Sequence, residues 1–329
     1  MRSVFLLAIF LILGQGLQAQ FKETTTKSKK SIEAGMKFLL KAQNTDGGFG
    51  VEVGMRSDPA CSAMVGLVFL SEGSSPNGGL YQKEITKTTN YILNCIQKNR
   101  LSSGSQIEGD INRYANHYFV LLYLSQLYGE AGPALNKKIG PAVKMLVKKV
   151  HSLYRGNGNW GTGAYADNLG AITAWLSLHS SENAGFENNI HASQVRKYLY
   201  TFENNTSWLK QLHKSSSYLR ISRSTGKRNS EYSKQMAGNI IGVMKNVPSI
   251  KQAGGEEYFS IFLLNECFIQ DKGDTWERWY STIRPKIIAV QNADGSWTGY
   301  SCIQSRIFCT ACNVLTLTSP NRYLPTSDI

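Results

Sequence analysis

Proline is scarce in this chain, with 8 among 329 residues against 30 glycines. That balance excludes a proline-rich or low-complexity disordered composition and suits helices joined by glycine turns. Long apolar runs are missing as well. The run at the start, Val4 to Leu13, falls short of the ~20 residues a bilayer-spanning helix needs, and no second long run follows, so no transmembrane helix is expected once the leader is removed. Acidic residues are outnumbered, 23 Asp and Glu against 36 Lys and Arg, which leaves a net charge of +13. Partners of negative charge, an anionic glycan or a lipid surface, fit that balance. No nucleic-acid-binding motif is present, and nucleic acid is not expected as a partner. Cys309 and Cys312 make a CxxC, but neither a second CxxC nor a nearby histidine completes a zinc set, so neither metal nor cofactor is expected.

Residues 1–19 follow the order of a secretory signal peptide: Arg2, the apolar run, then the small residue Ala19 at the cleavage position. The protein is therefore expected to be exported, secreted or periplasmic. Residues 20–30, with Thr24, Thr25 and Thr26 among lysines, read as a flexible leader. With 42% hydrophobic residues overall, the roughly 300 that remain can bury about three quarters of their unfolded surface, enough for one large domain over 31–329.

A short phrase occurs near both ends of that domain: Gln43-Asn44-Thr45-Asp46-Gly47-Gly48-Phe49 and Gln291-Asn292-Ala293-Asp294-Gly295-Ser296-Trp297. Each copy separates two helix-like apolar segments. A worn copy without the glutamine, Gly156-Asn157-Gly158-Asn159-Trp160-Gly161, lies between them. Starts roughly 45 to 55 residues apart predict an array of two-helix units. The first helix of each pair carries more lysine, and the second, for example Cys61 to Leu70 or Tyr118 to Leu127, is almost wholly apolar. The second members are expected to line the interior. The pattern weakens over 205–255, where Ser215 to Lys234 is rich in Ser, Arg and Lys; this stretch reads as an irregular basic insertion, with a thin inner helix from Tyr232 to Met244.

Phe38-Leu39 with Gln43, Gly47 and Phe49, and Gln291, Gly295 and Trp297 at the other end, resemble the repeat of the prenyltransferase and squalene-cyclase (terpene cyclase-like) superfamily. The resemblance implies an all-α fold, an α/α toroid of five or six helical hairpins like an α6/α6 barrel. Its repeat residues, Trp160 included, are structural there: the glutamine closes a helix end and the aromatic ring covers its side. Tyr165-Ala166-Asp167-Asn168, Tyr258, Trp276, Trp279-Tyr280 and the tail Asn321-Arg322-Tyr323-Leu324-Pro325 resemble a secreted bacterial subgroup from which no activity carries over. The activities of the better-known relatives fail residue by residue. There is no Asp-x-Asp-Asp acid for cyclisation by protonation, no Asp-x-Cys with a later matched His for prenyltransferase zinc, and no Cys-Gly-Glu-Gln thioester.

In such a toroid the N-terminal ends of the inner helices converge on one mouth, where side chains and helix dipoles meet a ligand. The residues assigned there are Asp58, Asp167, Glu257 and His117 as candidate acids or bases, and Arg56, Asn112, Arg113, Tyr165, Asn168, Tyr232, Tyr258 and Arg306 as candidate binding residues. Asp58, Asp167 and Asn168 also have the composition of helix caps. Matching Asp58 to Ala63 with Arg306 to Ala311 sets Cys61 and Cys309 at equivalent places in the first and last inner helices, and a closed ring brings the two sulfurs together as a possible disulfide. A ligand-binding or surface-interaction protein is the first functional expectation. The alternatives are an extracellular hydrolase or lyase acting on a glycan, and an isoprenoid-handling protein, which needs a deep aromatic cavity.

Overall fold

Two kinds of helix alternate along the chain, and the chemistry of their surfaces decides where each one packs. The structure, a computed structural model, describes residues 22–103, 105–107, 111–161, 166–201, 207–271, 273–300, 302–321 and 324. The signal peptide proposed for 1–19 lies outside these. The helices are α1 (Thr26–Ala42), α2 (Pro59–Ser71), α3 (Gln82–Gln97), α4 (Ala115–Leu127), α5 (Pro133–Ser152), α6 (Asp167–Asn183), α7 (Ala192–Tyr200), α8 (Trp208–Ser224), α9 (Glu231–Asn246), α10 (Gly255–Asp271), α11 (Asp274–Ala289) and α12 (Arg306–Thr318). No β-strand occurs among the described residues. Odd-numbered helices are amphipathic: α1 buries Met36, Phe38, Leu39 and Ala42 while Lys37 and Lys41 stay exposed. In α2 and α4 every residue is buried. A helix without a polar face has nothing to offer solvent and goes inside.

The even-numbered helices run parallel in a closed ring. The Ala60 amide donates to Asn116 Oδ1 at 3.0 Å, tying the start of α2 to the start of α4. At the opposite ends, Arg223 of α8 pairs with Asp271 of α10 at 2.5 Å, and the hydroxyls of Ser71 and Thr318 join α2 to α12 at 2.9 Å. Each inner helix packs on the next, and α12 packs back on α2. The odd-numbered helices form the outer layer, where α1 lies against both α11 and α12 and covers the seam between the chain's first and last hairpins. The fold is an α/α toroid of six helical hairpins. Its axis is blocked near the N-terminal ends of the inner helices: Phe119 of α4, Phe259 of α10 and Phe308 of α12 meet there with ring centroids 5.3, 5.6 and 6.4 Å apart.

The repeat phrase acts between hairpins. Gln43 Nε2 donates to Gly47 O (3.1 Å), Glu84 O (3.0 Å) and Thr88 Oγ1 (3.1 Å), so it joins its own turn to α3, the next outer helix. Gln291 makes the matching bonds to Gly295 O and, in α1, to Ser31 O, both at 2.9 Å. The worn middle copy keeps the same plan with another residue. Tyr154 stands where the glutamine belongs, and its hydroxyl accepts from Gly158 N (2.7 Å) and donates to Gln194 of α7 (2.8 Å). The indoles of Trp160 and Trp297 both donate to a carbonyl ten residues back, Val150 O and Ile287 O.

The stretch 205–255 corrects the sequence reading. It is no irregular insertion but the inner helix α8 followed by the outer helix α9, with Ile250 and Ala253 buried in the turn that follows. Residues 215–222 of α8 are buried despite their polarity. Serine hydroxyls there bond back to their own helix, Ser216 and Ser217 both to His213 O at 3.1 and 2.7 Å, which satisfies them without water. Tyr232 to Met244 is correspondingly an outer helix, burying Met236, Ile240, Ile241 and Met244.

Candidate functional site

Each inner helix brings an ionisable side chain to its N-terminal end: Asp58 (α2), His117 (α4), Asp167 (α6), His213 (α8), Glu257 (α10) and Arg306 (α12). Their surroundings divide them sharply. Asp58 is 2% exposed and fully occupied. Its carboxylate caps α2 by accepting from Cys61 N (3.0 Å) and also accepts from Ser105 Oγ (2.9 and 3.1 Å) and Gln106 N (2.8 Å). That is a cap and a loop anchor, with no oxygen left for a substrate. Arg56 beside it is exposed, and its carbonyl accepts from Gln106 Nε2.

Glu257 is also spent. Its Oε2 accepts from Gly254 N at 2.6 Å and its Oε1 meets His213 Nε2 at 2.8 Å, with both side chains almost wholly buried. His213 carries no sequence signal, because the Ser-, Arg- and Lys-rich composition of α8 does not mark it as an inner helix. The preceding Glu256 is buried as well and accepts from Ile303 N at 3.3 Å; burial and then the Glu257 charge push its carboxyl above the usual range. Tyr258 is buried, and burial raises its phenol far above the ordinary value. Arg306 lies over the Phe38 ring at 4.9 Å and bonds Asp294, Ser296 and, at 3.7 Å, Glu52. It locks the last repeat turn to the first hairpin.

The sector of α4 and α6 is different. Asn112 is structural, donating to Trp160 O (3.1 Å) and accepting from Tyr114 N (2.9 Å). Beyond it Arg113 is exposed and stacks on Tyr114, its guanidinium carbon 4.7 Å from the ring centroid. His117 is buried and edge-on to Tyr114 at 6.2 Å. Burial, then the Lys149 charge, lower its pKa to about 4, so the imidazole is neutral at neutral pH. Its Nδ1, and the hydroxyl of the adjacent Tyr118, are buried without a hydrogen-bond partner among the described residues. Asp167, half-buried in the first turn of α6, and Arg155 lie near enough to act electrostatically on the Tyr118 hydroxyl. Asn168 is buried and donates to Ser217 Oγ at 3.4 Å. Tyr165 lies outside the described residues.

Tyr232 is not at this mouth. It belongs to the outer helix α9, in an aromatic cluster with Tyr200 (5.1 Å) and Tyr218 (4.9 Å), and borders a groove of about 240 Å³ between α8 and α9. Cys61 and Cys309 lie on neighbouring helices as expected, but they are two buried free thiols and not a disulfide. The Cys61 sulfur contacts Ser305 Oγ at 3.9 Å and Cys309 donates to Ile303 O at 3.6 Å. Burial, and for Cys61 the Asp58 charge next, push both thiols well up, so neither is a ready nucleophile. Among the described residues no group of three or more His, Cys, Asp and Glu converges to hold a metal, and no helix is long and apolar enough to cross a membrane.

No family model and no curated protein matches the sequence. Solved structures do match in shape. An inactive variant of the α-1,6-mannanase GH76A of Salegentibacter sp. HEL1_6 in complex with an α-1,6-mannotetrose superposes with a TM-score of 0.61 at 9% identity, covering 91% of this chain and 100% of that one. A second inactive variant of the same enzyme, with α-1,6-mannotriose, gives 0.59 at 10% identity, covering 90% and 99%. The type II terpene cyclase MstE from Scytonema, with its geranylgeranyl dihydroxybenzoate substrate, gives 0.52 at 12% identity, covering 91% and 98%. At these identities the shared property is the α/α toroid.

Proposed function

We propose that this protein is an exported, glycan-handling toroid of the terpene-cyclase-like repeat superfamily, taking a sugar chain at the α4–α6 sector of the mouth. The observation that carries this is that His117 Nδ1 and the hydroxyl of the next residue, Tyr118, are both buried without a hydrogen-bond partner among the described residues. Buried polar groups in native proteins are nearly always hydrogen-bonded, and a ligand hydroxyl is the partner proposed for these two. Sugar hydroxyls, each both donor and acceptor, suit a neutral imidazole and a phenol, and the exposed Arg113–Tyr114 stack supplies a flat surface at the rim.

Between binding alone and hydrolysis, the comparisons lean towards hydrolysis, since mannanases recur among the structural neighbours. In those mannanase variants two adjacent aspartates are replaced and the enzyme is inactive. The one adjacent acidic pair of this sequence is Glu256 and Glu257, but at 1% and 2% exposure neither reaches a sugar. Asp167, half-buried in the first turn of α6 beside this sector, is the carboxylate we assign as general acid or base. The isoprenoid alternative loses ground, because Phe119, Phe259 and Phe308 pack on one another across the axis where a prenyl chain would lie.

The test is a panel of α- and β-linked oligosaccharides, mannans among them, scored for thermal stabilisation and for released sugars. Hydrolysis predicts turnover that Asp167→Asn abolishes while binding survives, and that Glu257→Gln alters only through stability. Stabilisation without turnover, reduced by Tyr118→Phe and His117→Gln, leaves the binding function alone. A panel without binding, or binding indifferent to all three sector variants, overturns the assignment.

A further inference from the structure

The basic stretch that forms α8 and α9 builds a second recess, at the end of the toroid opposite the mouth. It is a groove of about 380 Å³ bounded by the C-terminal ends of α8 and α10 and the starts of α9 and α11. Among the described residues four cations line it, Arg223, Arg228, Lys234 and Arg278, against one carboxylate, Asp271. Three of them, Arg228, Lys234 and Arg278, are exposed and come from both walls. The fourth is built in: the Arg223 side chain is 7% exposed. Its Nη2 is committed to Asp271 at 2.5 Å and the buried Cys267 thiol lies against the guanidinium, while Nε and Nη1 meet no nitrogen or oxygen partner among the described residues.

A thiol is a weak acceptor, so a desolvated guanidinium whose remaining donors face it lacks a strong partner, and a planar fork of N–H groups is matched by an oxyanion. Asp271 neutralises one charge and orients the fork, which leaves three cations for the ligand. We propose that this groove binds a tetrahedral oxyanion ester, a sulfate or phosphate group carried on a small sugar, with Arg223 at the floor and Arg228, Lys234 and Arg278 closing on the anion. The site is separate from the mouth and stands whether or not a glycan is hydrolysed there.

The experiment is calorimetric titration of the purified protein at fixed ionic strength with inorganic sulfate, inorganic phosphate, glucose 6-sulfate, glucose 6-phosphate and unmodified glucose. Saturable binding of at least one ester, weakening as salt rises and at least tenfold tighter than for glucose, is expected. Preference between the two esters identifies the source of the anion. In an Arg228→Gln, Arg278→Gln double variant, whose changes lie at exposed positions, affinity is expected to fall at least tenfold with the melting temperature held. Absence of saturable binding by every anion, or binding that the double variant leaves unchanged, overturns the proposal.

Discussion

Gln291 and Ser31, 260 residues apart, close the ring on itself: the amide nitrogen donates to Ser31 O at 2.9 Å and the amide oxygen accepts from Ser31 Oγ at 2.6 Å. Ser31 is buried, so Gln291→Ala deprives its hydroxyl of this partner and removes the second bond to a carbonyl that the helix ladder still satisfies. A loss of about 1–3 kcal/mol is expected from that, with Ser31→Ala milder because it removes only the hydroxyl bond. Urea unfolding of both single variants and the double gives the coupling between them. Strictly additive losses would mean that the pair contributes nothing to closure.

The glycine of the same turn sets how closely α1 approaches. Gly295 has φ +89°, and a Cβ there would lie 2.3 Å from Ala34 O. Gly54 has a similar φ of +77° but open space around it. Both alanine variants incur the left-handed backbone penalty of ~1–2 kcal/mol, and only Gly295→Ala adds a clash with the α1 backbone. Gly295→Ala is expected to be the more destabilising by roughly 2 kcal/mol or more, read from the same unfolding curves. Equal losses would mean that the turn does not clamp α1.

The two complete phrases made these contacts legible, because Gln, Gly and the aromatic recur at fixed spacing and each does one mechanical task. The middle copy was legible only in part, since Tyr154 replaces the glutamine with a different group of similar reach. Apolar inner helices such as α2 and α4 announce their burial by composition. Helix α8 does not: Ser216 and Ser217 are satisfied within the helix, and Arg223 is paired by Asp271 of another inner helix, so polarity there resembles that of a loop. Missing α8 concealed His213, and with it the reason Glu257 is a core residue and not a surface acid. Asp58 was correctly seen to open α2, but only the Ser105 and Gln106 contacts disclose that its capacity is exhausted.

Thiol chemistry tests the cysteine assignment. Cys61, Cys95, Cys267, Cys309 and Cys312 are buried free thiols and Cys302 is exposed. A thiol reagent is expected to label Cys302 alone in the native protein, because burial both blocks the others and suppresses their thiolates. Denaturation without reductant should then release all six. A total of four in denaturant would signal a disulfide and restore the Cys61–Cys309 bridge as a candidate.

His117 gives the stability a pH dependence whose sign follows from its burial. Its pKa is about 4 in the folded protein, below the ordinary value of 6.5, through burial first and the Lys149 charge second. Between those two values the unfolded chain binds a proton that the folded one refuses, so stability falls as pH drops from 6.5 towards 4 and is fully present above 6.5. At ~1.4 kcal/mol per pKa unit the loss amounts to roughly 3 kcal/mol. His117→Gln keeps a polar side chain of similar reach and cannot titrate, so unfolding curves at pH 7, 5.5 and 4 should show wild type losing ground to the variant by about that amount. A bound sugar that hydrogen-bonds the neutral imidazole deepens the same trend, because protonation then opposes binding too: ligand affinity is expected to weaken over the same window in wild type and to stay flat in His117→Gln. Parallel pH profiles for the two proteins, with and without ligand, would remove His117 from the site.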